Sequence, residues 1–129
     1  MYASITASPV IHCKYRVTLA NKQSIDFGAM DIPDFTEHRN SALMREHLVR
    51  KGAIVPNKVL LETDPVEIQR GMLYVNESSN ENWEDVHTEE YWDRWLLWSY
   101  TDINLAKMWM TMRNDILFVP SLETKLYHV

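Results

Sequence analysis

Four of the chain's five tryptophans fall between residues 83 and 98, and the fifth, Trp109, sits in the next apolar stretch. Indoles in that density demand cover, because a contiguous exposed aromatic patch promotes association. At about 100° per residue, a helix over 81–99 puts Trp83, Tyr91, Trp95 and Trp98 within one arc of about 120°. Trp92 and Leu96 fall on the other side, at roughly 180–220°. Thr101-Asp102 caps a further helix to about Arg113. On it, Ile103, Leu105, Ala106, Met108, Trp109, Met110 and Met112 spread over more than about 200°, leaving Asn104, Lys107 and Thr111 as the polar edge. An ordinary surface helix needs a stripe of only about 100°. Two compatible readings follow. Either these helices form the centre of the domain, or another protein covers part of them, since Trp, Tyr and Met are interface anchors. The candidate partner-binding set is Trp92, Trp95, Leu96, Trp98, Met108, Trp109 and Met112.

The 129 residues suffice for one domain, 1–129, with no repeat and no low-complexity linker. Residues 10–19 alternate Tyr15, Val17 and Leu19 against Lys14, Arg16 and Thr18, a half-buried strand. Asn21-Lys22 turns the chain, and Ser24 to Phe27 returns as a partner strand. Pro33-Asp34 opens a helix over about 35–51, with Asp34 as N-cap, Glu37 at the reciprocal capping position, and Arg50 and Lys51 before Gly52. Ala53–Val55 and Val59–Glu62 read as short extended segments broken by Pro56. Asp64-Pro65 with Glu67 starts a short helix over 65–74, residues 76–80 form a loop, and Ile116–Val119 is a late strand stopped by Pro120. The residues after it are left unassigned. The expected class is α+β: a small single domain with an N-terminal β-hairpin, several helices and a late edge strand.

Charge is uneven along the chain. Residues 1–76 carry nine basic and eight acidic groups, whereas residues 77–94 carry seven acidic groups against Arg94 alone, so one segment sets the net charge of −5. That balance disfavours broad phosphate-backbone binding. Arg39, Arg45, Arg50 and Lys51 are the alternative nucleic-acid candidates; the competing reading is a solvated helix face with favourable C-terminal charges. The acidic 77–94 stretch could instead meet the basic helix of a neighbouring copy. Three glycines argue against phosphate-cradling loops, and the single Cys13 excludes an internal disulfide. No apolar run approaches a membrane span, and the N-terminus has neither the basic nor the apolar region of a secretory signal.

Nothing in the sequence supports catalysis: no GxSxG, HExxH, Walker or paired-cysteine signature occurs. Cys13 and His12 alternate across a strand and point to opposite faces. His38 and His47 are nine apart on one expected helix, about 180° apart, and so share no metal there. His87 and Glu90 are the only residues worth testing in an enzyme. The expectation is a non-enzyme without cofactor or metal.

Several words recur in a familiar order. Lys14, Tyr15, Val17 and Thr18 make a KY-x-V-T strand, followed by FGA at Phe27, Gly28 and Ala29, then D-F-T-x-H at Asp34, Phe35, Thr36 and His38. ENWED at 81–85 and YWDRWLLWSY at 91–100 complete the set. The series resembles a family of small uncharacterised proteins of nucleocytoplasmic large DNA viruses and some other viruses, with overlap from about 14 to 110. RWLLW, Arg94 to Trp98, is its distinctive word. This chain departs by inserting roughly residues 49–79 and by a less basic first helix, which weakens a nucleic-acid role. The resemblance implies a viral origin more than a mechanism; for a virus-encoded chain of this size without catalytic residues the expectation is a viral structural protein, a minor capsid or capsid-associated component in the virion and, during assembly, the host cytoplasm. Its partners would be the major capsid protein, other virion components or a second copy. A host-directed inhibitory binder is the remaining alternative.

Overall fold

The computed structural model describes residues 1–121. The chain forms an α+β domain in which three antiparallel strands, β1 (Tyr2–Ala7), β2 (Cys13–Leu19) and β3 (Ser24–Ala29), precede the helices. A late strand, β4 (Leu117–Phe118), pairs parallel to β1 and completes a mixed sheet of order β3-β2-β1-β4. The β2–β3 hairpin arises as the alternation requires: Tyr15 lies opposite Phe27 and Val17 opposite Ile25, all on the face that carries the core. On the other face Arg16 pairs with its cross-strand partner Asp26 at 2.9 Å. The sequence reading left β1 unassigned because YASITA has few large apolar groups, yet this strand is central. Its Ala3 and Ile5 stand opposite Leu19 and Val17 on the core face.

The helix expected over 35–51 is two helices, α1 (Phe35–His38) and α2 (Ser41–Arg50). The Asp34–Glu37 capping box is present and starts α1. Arg39 then adopts a left-handed conformation with φ 54°, and the Asn40 side chain accepts from the Leu43 N–H to start α2. The break re-aims the chain, bringing both His38 and His47 against Trp98, with ring centroids at 5.6 and 3.6 Å.

Val59–Glu62 is not extended. Residues 57–60 form the short helix α3 (Asn57–Leu60), and Ala53 makes only an isolated bridge to Ser78. Helix α4 (Pro65–Met72) starts at the Asp64 cap as expected and ends two residues earlier.

The long helix expected over 81–99 is also corrected. Residues 81–88 are irregular, α5 covers only Glu89–Trp92, and Asp93–Leu97 is a π-helical turn. Indole N–H groups hold this irregular stretch together: Trp92 Nε1 donates to the Val86 carbonyl and Trp95 Nε1 to the Trp83 carbonyl. The widened turn defeats a wheel drawn at about 100° per residue. Helix α6 (Ile103–Asn114) follows, capped by Asp102 and ended by Asp115 in the left-handed region.

The α5–π segment is the centre of the domain. Trp92 packs on Phe27 of the sheet, Trp98 on α2, and Trp95 beneath Arg113 of α6. Arg94 is buried with it. Its guanidinium lies over the Trp95 and Trp83 rings and donates to the carbonyls of Met72, Val75 and Trp98. Burial, reinforced by Arg113, brings its pKa down to about 9, so it stays charged at neutral pH.

Candidate functional site

Of the expected partner-binding residues, Trp92, Trp95, Leu96 and Trp98 are each at most 4% exposed, enclosed by the protein's own sheet and helices. They are core, and an interface role for them is withdrawn. Met108 and Met112 of α6 are different, at 59% and 77% exposed. Trp109 is half-buried, set edge-on to Tyr74 and Tyr100. The structure adds Leu105 of α6 and Leu117 of β4 to the exposed apolar side chains. A shallow groove of about 410 Å³ runs between α6 and β4, lined by Lys107, Met108, Thr111, Met112, Leu117 and Phe118. Between Ile103 and Asn114 the helix has two basic residues and no acidic one. The sequence missed Leu117 because an exposed leucine on a two-residue strand leaves no periodicity to read.

The basic cluster does not form a free face. Arg45 donates to the backbone carbonyls of Val59 and Glu62, tying α2 to the end of α3. Arg50 pairs with Glu46 at 3.1 Å and Lys51 with Glu81 at 3.7 Å, while Arg39 is the left-handed link between α1 and α2. The His87–Glu90 candidate separates as well: the His87 ring meets Gln23, whereas Glu90 accepts from the Asn82 N–H. Cys13 opens β2 as a free thiol whose pKa is pushed up, chiefly by burial and then by Glu89. Among the described residues no three His, Cys, Asp or Glu side chains gather as a metal-ion set.

A second site lies where α2, the end of β3 and the π-helical turn meet. A cavity of about 80 Å³ is lined by Lys14, Asp34, His47, Lys51, Glu89 and Asp93, with Ala29, Ile32, Leu97 and Trp98 as its apolar wall. Local structure places each group. Gly28, at φ 81°, is the next-to-last residue of β3, where a Cβ would stand 2.9 Å from Leu97, so the sheet edge approaches the π turn closely. Asp34 is there as the cap of α1, and Lys14 reaches it across the sheet edge. The His47 ring stacks on Trp98 with an interplanar angle of 2°. Burial, then the charges of Lys51 and Arg50, bring its pKa down to about 4 and keep it neutral.

Lys14 is held charged, since its bonds to Asp34 and Glu37 outweigh the burial that opposes them; it also donates to the Ile32 carbonyl. Asp93 is enclosed by protein atoms yet keeps an opening to the cavity, and burial pushes its carboxyl up to about 7. Among the described residues it has no hydrogen-bond or ion-pair partner. Sequence reasoning missed it. The available signal was a lone carboxylate inside an otherwise apolar YWDRWLLW run. Four of the words singled out in the sequence converge here, through Lys14, Ala29, Asp34 and Asp93 with Trp98.

Among the described residues no helix is long and apolar enough to cross a membrane. Neither a curated protein nor a solved structure matches the chain. Residues 3–51 match a family of unknown function (DUF5754), a span that takes in the three antiparallel strands, α1 and α2.

Proposed function

We propose that the protein is a viral structural component, a capsid-associated protein that works through protein–protein contact, with the outer face of α6 and β4 as its contact surface. The observation that carries the contact reading is the set Met108, Met112 and Leu117, all exposed around one groove, with Leu105 exposed on the same helix. Methionine adapts to an irregular partner surface, and apolar side chains gathered at one place are the usual centre of an interface. Lys107 is the charged side chain that lines the groove, on a chain of net charge −5, so this face suits an acidic partner. The virion assignment rests on the resemblance of the KY-x-V-T, FGA, D-F-T-x-H and RWLLW words to viral proteins. A direct test quantifies the protein by mass spectrometry in purified, protease-treated particles, for the natural chain and for the Met108→Glu/Met112→Glu variant. The natural chain should appear in fixed ratio to the major capsid protein, and the variant should fold yet be excluded. Absence of the natural chain from particles removes the virion role, and undiminished incorporation of the variant removes the α6 surface.

A further inference from the structure

We propose that the cavity between α2 and the π-helical turn is a binding site for a primary alkylammonium group, with Asp93 as its counter-ion. The group would come from a free small amine or from a lysine side chain of another chain. The inference does not depend on the α6 surface.

Charge pairing around the cavity gives the sign of the ligand. Lys14 of β2 is committed to Asp34, Glu37 and the Ile32 carbonyl, and Lys51, the C-cap of α2, pairs with Glu81 at 3.7 Å. His47 of α2 is neutral. Two carboxyls remain, Asp93 on the π turn and Glu89 of α5; among the described residues neither side chain has an ion-pair or hydrogen-bond partner, and the Lys51 charge that acts on both is outweighed by burial together with the neighbouring carboxylates. The carboxyl of Glu89 is itself pushed up, by burial and by neighbouring Glu90. A largely enclosed carboxylate that Lys51 compensates only in part is costly, and an incoming cation relieves that cost.

Size and lining narrow the cation further. A dry cavity of about 150 Å³ accommodates the six carbons of benzene, so about 80 Å³ encloses three or four heavy atoms. That excludes an aromatic ring and suits an ammonium head with two or three methylenes, any further carbon of the chain projecting through the opening. Leu97, Ala29 and the Trp98 edge of the wall face the methylenes, while Asp93 and Glu89 accept from the ammonium. A metal ion fits less well, because the described residues supply no three-ligand set. A π-helical turn opening onto the cavity is the kind of local irregularity found at functional sites.

The experiment titrates the full chain with n-butylammonium chloride, following the Trp98 indole N–H signal by NMR. Saturable binding in the millimolar range is expected at about pH 8, falling about tenfold at about pH 6 as Asp93 takes up its proton. The neutral isostere n-butanol should not bind. A capped Gly-Lys-Gly peptide distinguishes the source: tighter binding than butylammonium assigns the site to a partner's lysine, and weaker binding to a free amine. Asp93→Asn should abolish binding in a protein whose NMR spectrum stays folded. Glu89→Gln, at the exposed lip, should weaken it severalfold, while Glu46→Gln, outside the cavity, should leave it unchanged. No saturable shift at tens of millimolar, equal binding of n-butanol, or undiminished binding by the folded Asp93→Asn protein overturns the proposal. Should Asp93→Asn fail to fold, undiminished binding by Glu89→Gln together with pH-independence overturns it instead.

Discussion

Asp93 and His47 are two partly buried groups on the same cavity that pull stability in opposite directions with pH. Below about pH 3.8 the Asp93 carboxyl is protonated in both folded and unfolded chains. Between there and about 7 the folded protein keeps a proton that the unfolded chain has lost, so its contribution falls as pH rises, by up to about 4 kcal/mol across the interval. His47 acts oppositely. Between about 6.5 and 4 the unfolded chain takes a proton the folded one refuses, so stability is lost as pH falls. The slopes oppose each other below about pH 6.5, and Asp93→Asn should unmask the histidine. Urea midpoints of the variant should climb from about pH 4.5 to 6.5 and level off, whereas the natural protein should respond weakly there and decline towards neutrality. Identical profiles for the two proteins would show that the carboxyl is not held neutral. Arg94 offers a second test at this scale. Arg94→Met strands the carbonyls of Val75 and Trp98, at about 1–3 kcal/mol each, and leaves that of Met72 with the Val75 N–H alone, against the relief of no longer burying a charge. A net loss of at least about 2 kcal/mol is expected in denaturant melts. Neither residue's role was legible in the sequence. A charged side chain inside an aromatic run can be read as one wet edge of a helix, and only the packing of α4, α6 and the sheet around the run closes that edge.

The elements that were legible carried a period that packing did not override. The β2–β3 hairpin showed clean alternation, and α4 and α6 showed an aspartate cap before an apolar repeat. The π turn was hidden because the apolar spacing continues through it, whereas the break at Arg39–Asn40 lies in the polar stretch Thr36 to Ser41, where no period is written and only Asn40, a good cap, marked it. Asn40→Ala should cost about 1 kcal/mol by leaving the start of α2 uncapped, measurable as a lower urea midpoint. The contact between α3 and α4 makes a different prediction. A Cβ on Gly71 of α4 would stand 2.8 and 2.9 Å from the two Val59 methyls. Gly71→Ala gains about 1 kcal/mol of helix propensity but overpacks at a cost of about 1–3 kcal/mol, so a modest net loss is expected. Adding Val59→Ala should recover part of it. If Gly71→Ala alone stabilises the protein, α3 yields more readily than its packing implies.

At the scale of the whole molecule, the aromatic wealth that suggested an outward-facing surface has turned inward, and α6 presents leucine and methionine instead. The double substitution Met108→Glu/Met112→Glu should therefore leave the melting temperature within a few degrees of the natural value, since surface changes away from packed features are usually worth within about 0.5 kcal/mol each. A large drop would place those methionines in the packed interior. The sheet itself has a bearing on how the chain is made. The Leu117 N–H donates to the Met1 carbonyl and the Val119 N–H to that of Ala3, so β1 gains its outer neighbour more than a hundred residues later. The three-strand meander leaves the ribosome with its apolar side bare, and the tryptophans that cover it emerge long afterwards. Cooperative folding of this domain is thus expected to wait for β4. Nascent chains halted at increasing lengths should show one late pulling event, after β4 has cleared the exit tunnel, and no earlier one when the meander alone is out.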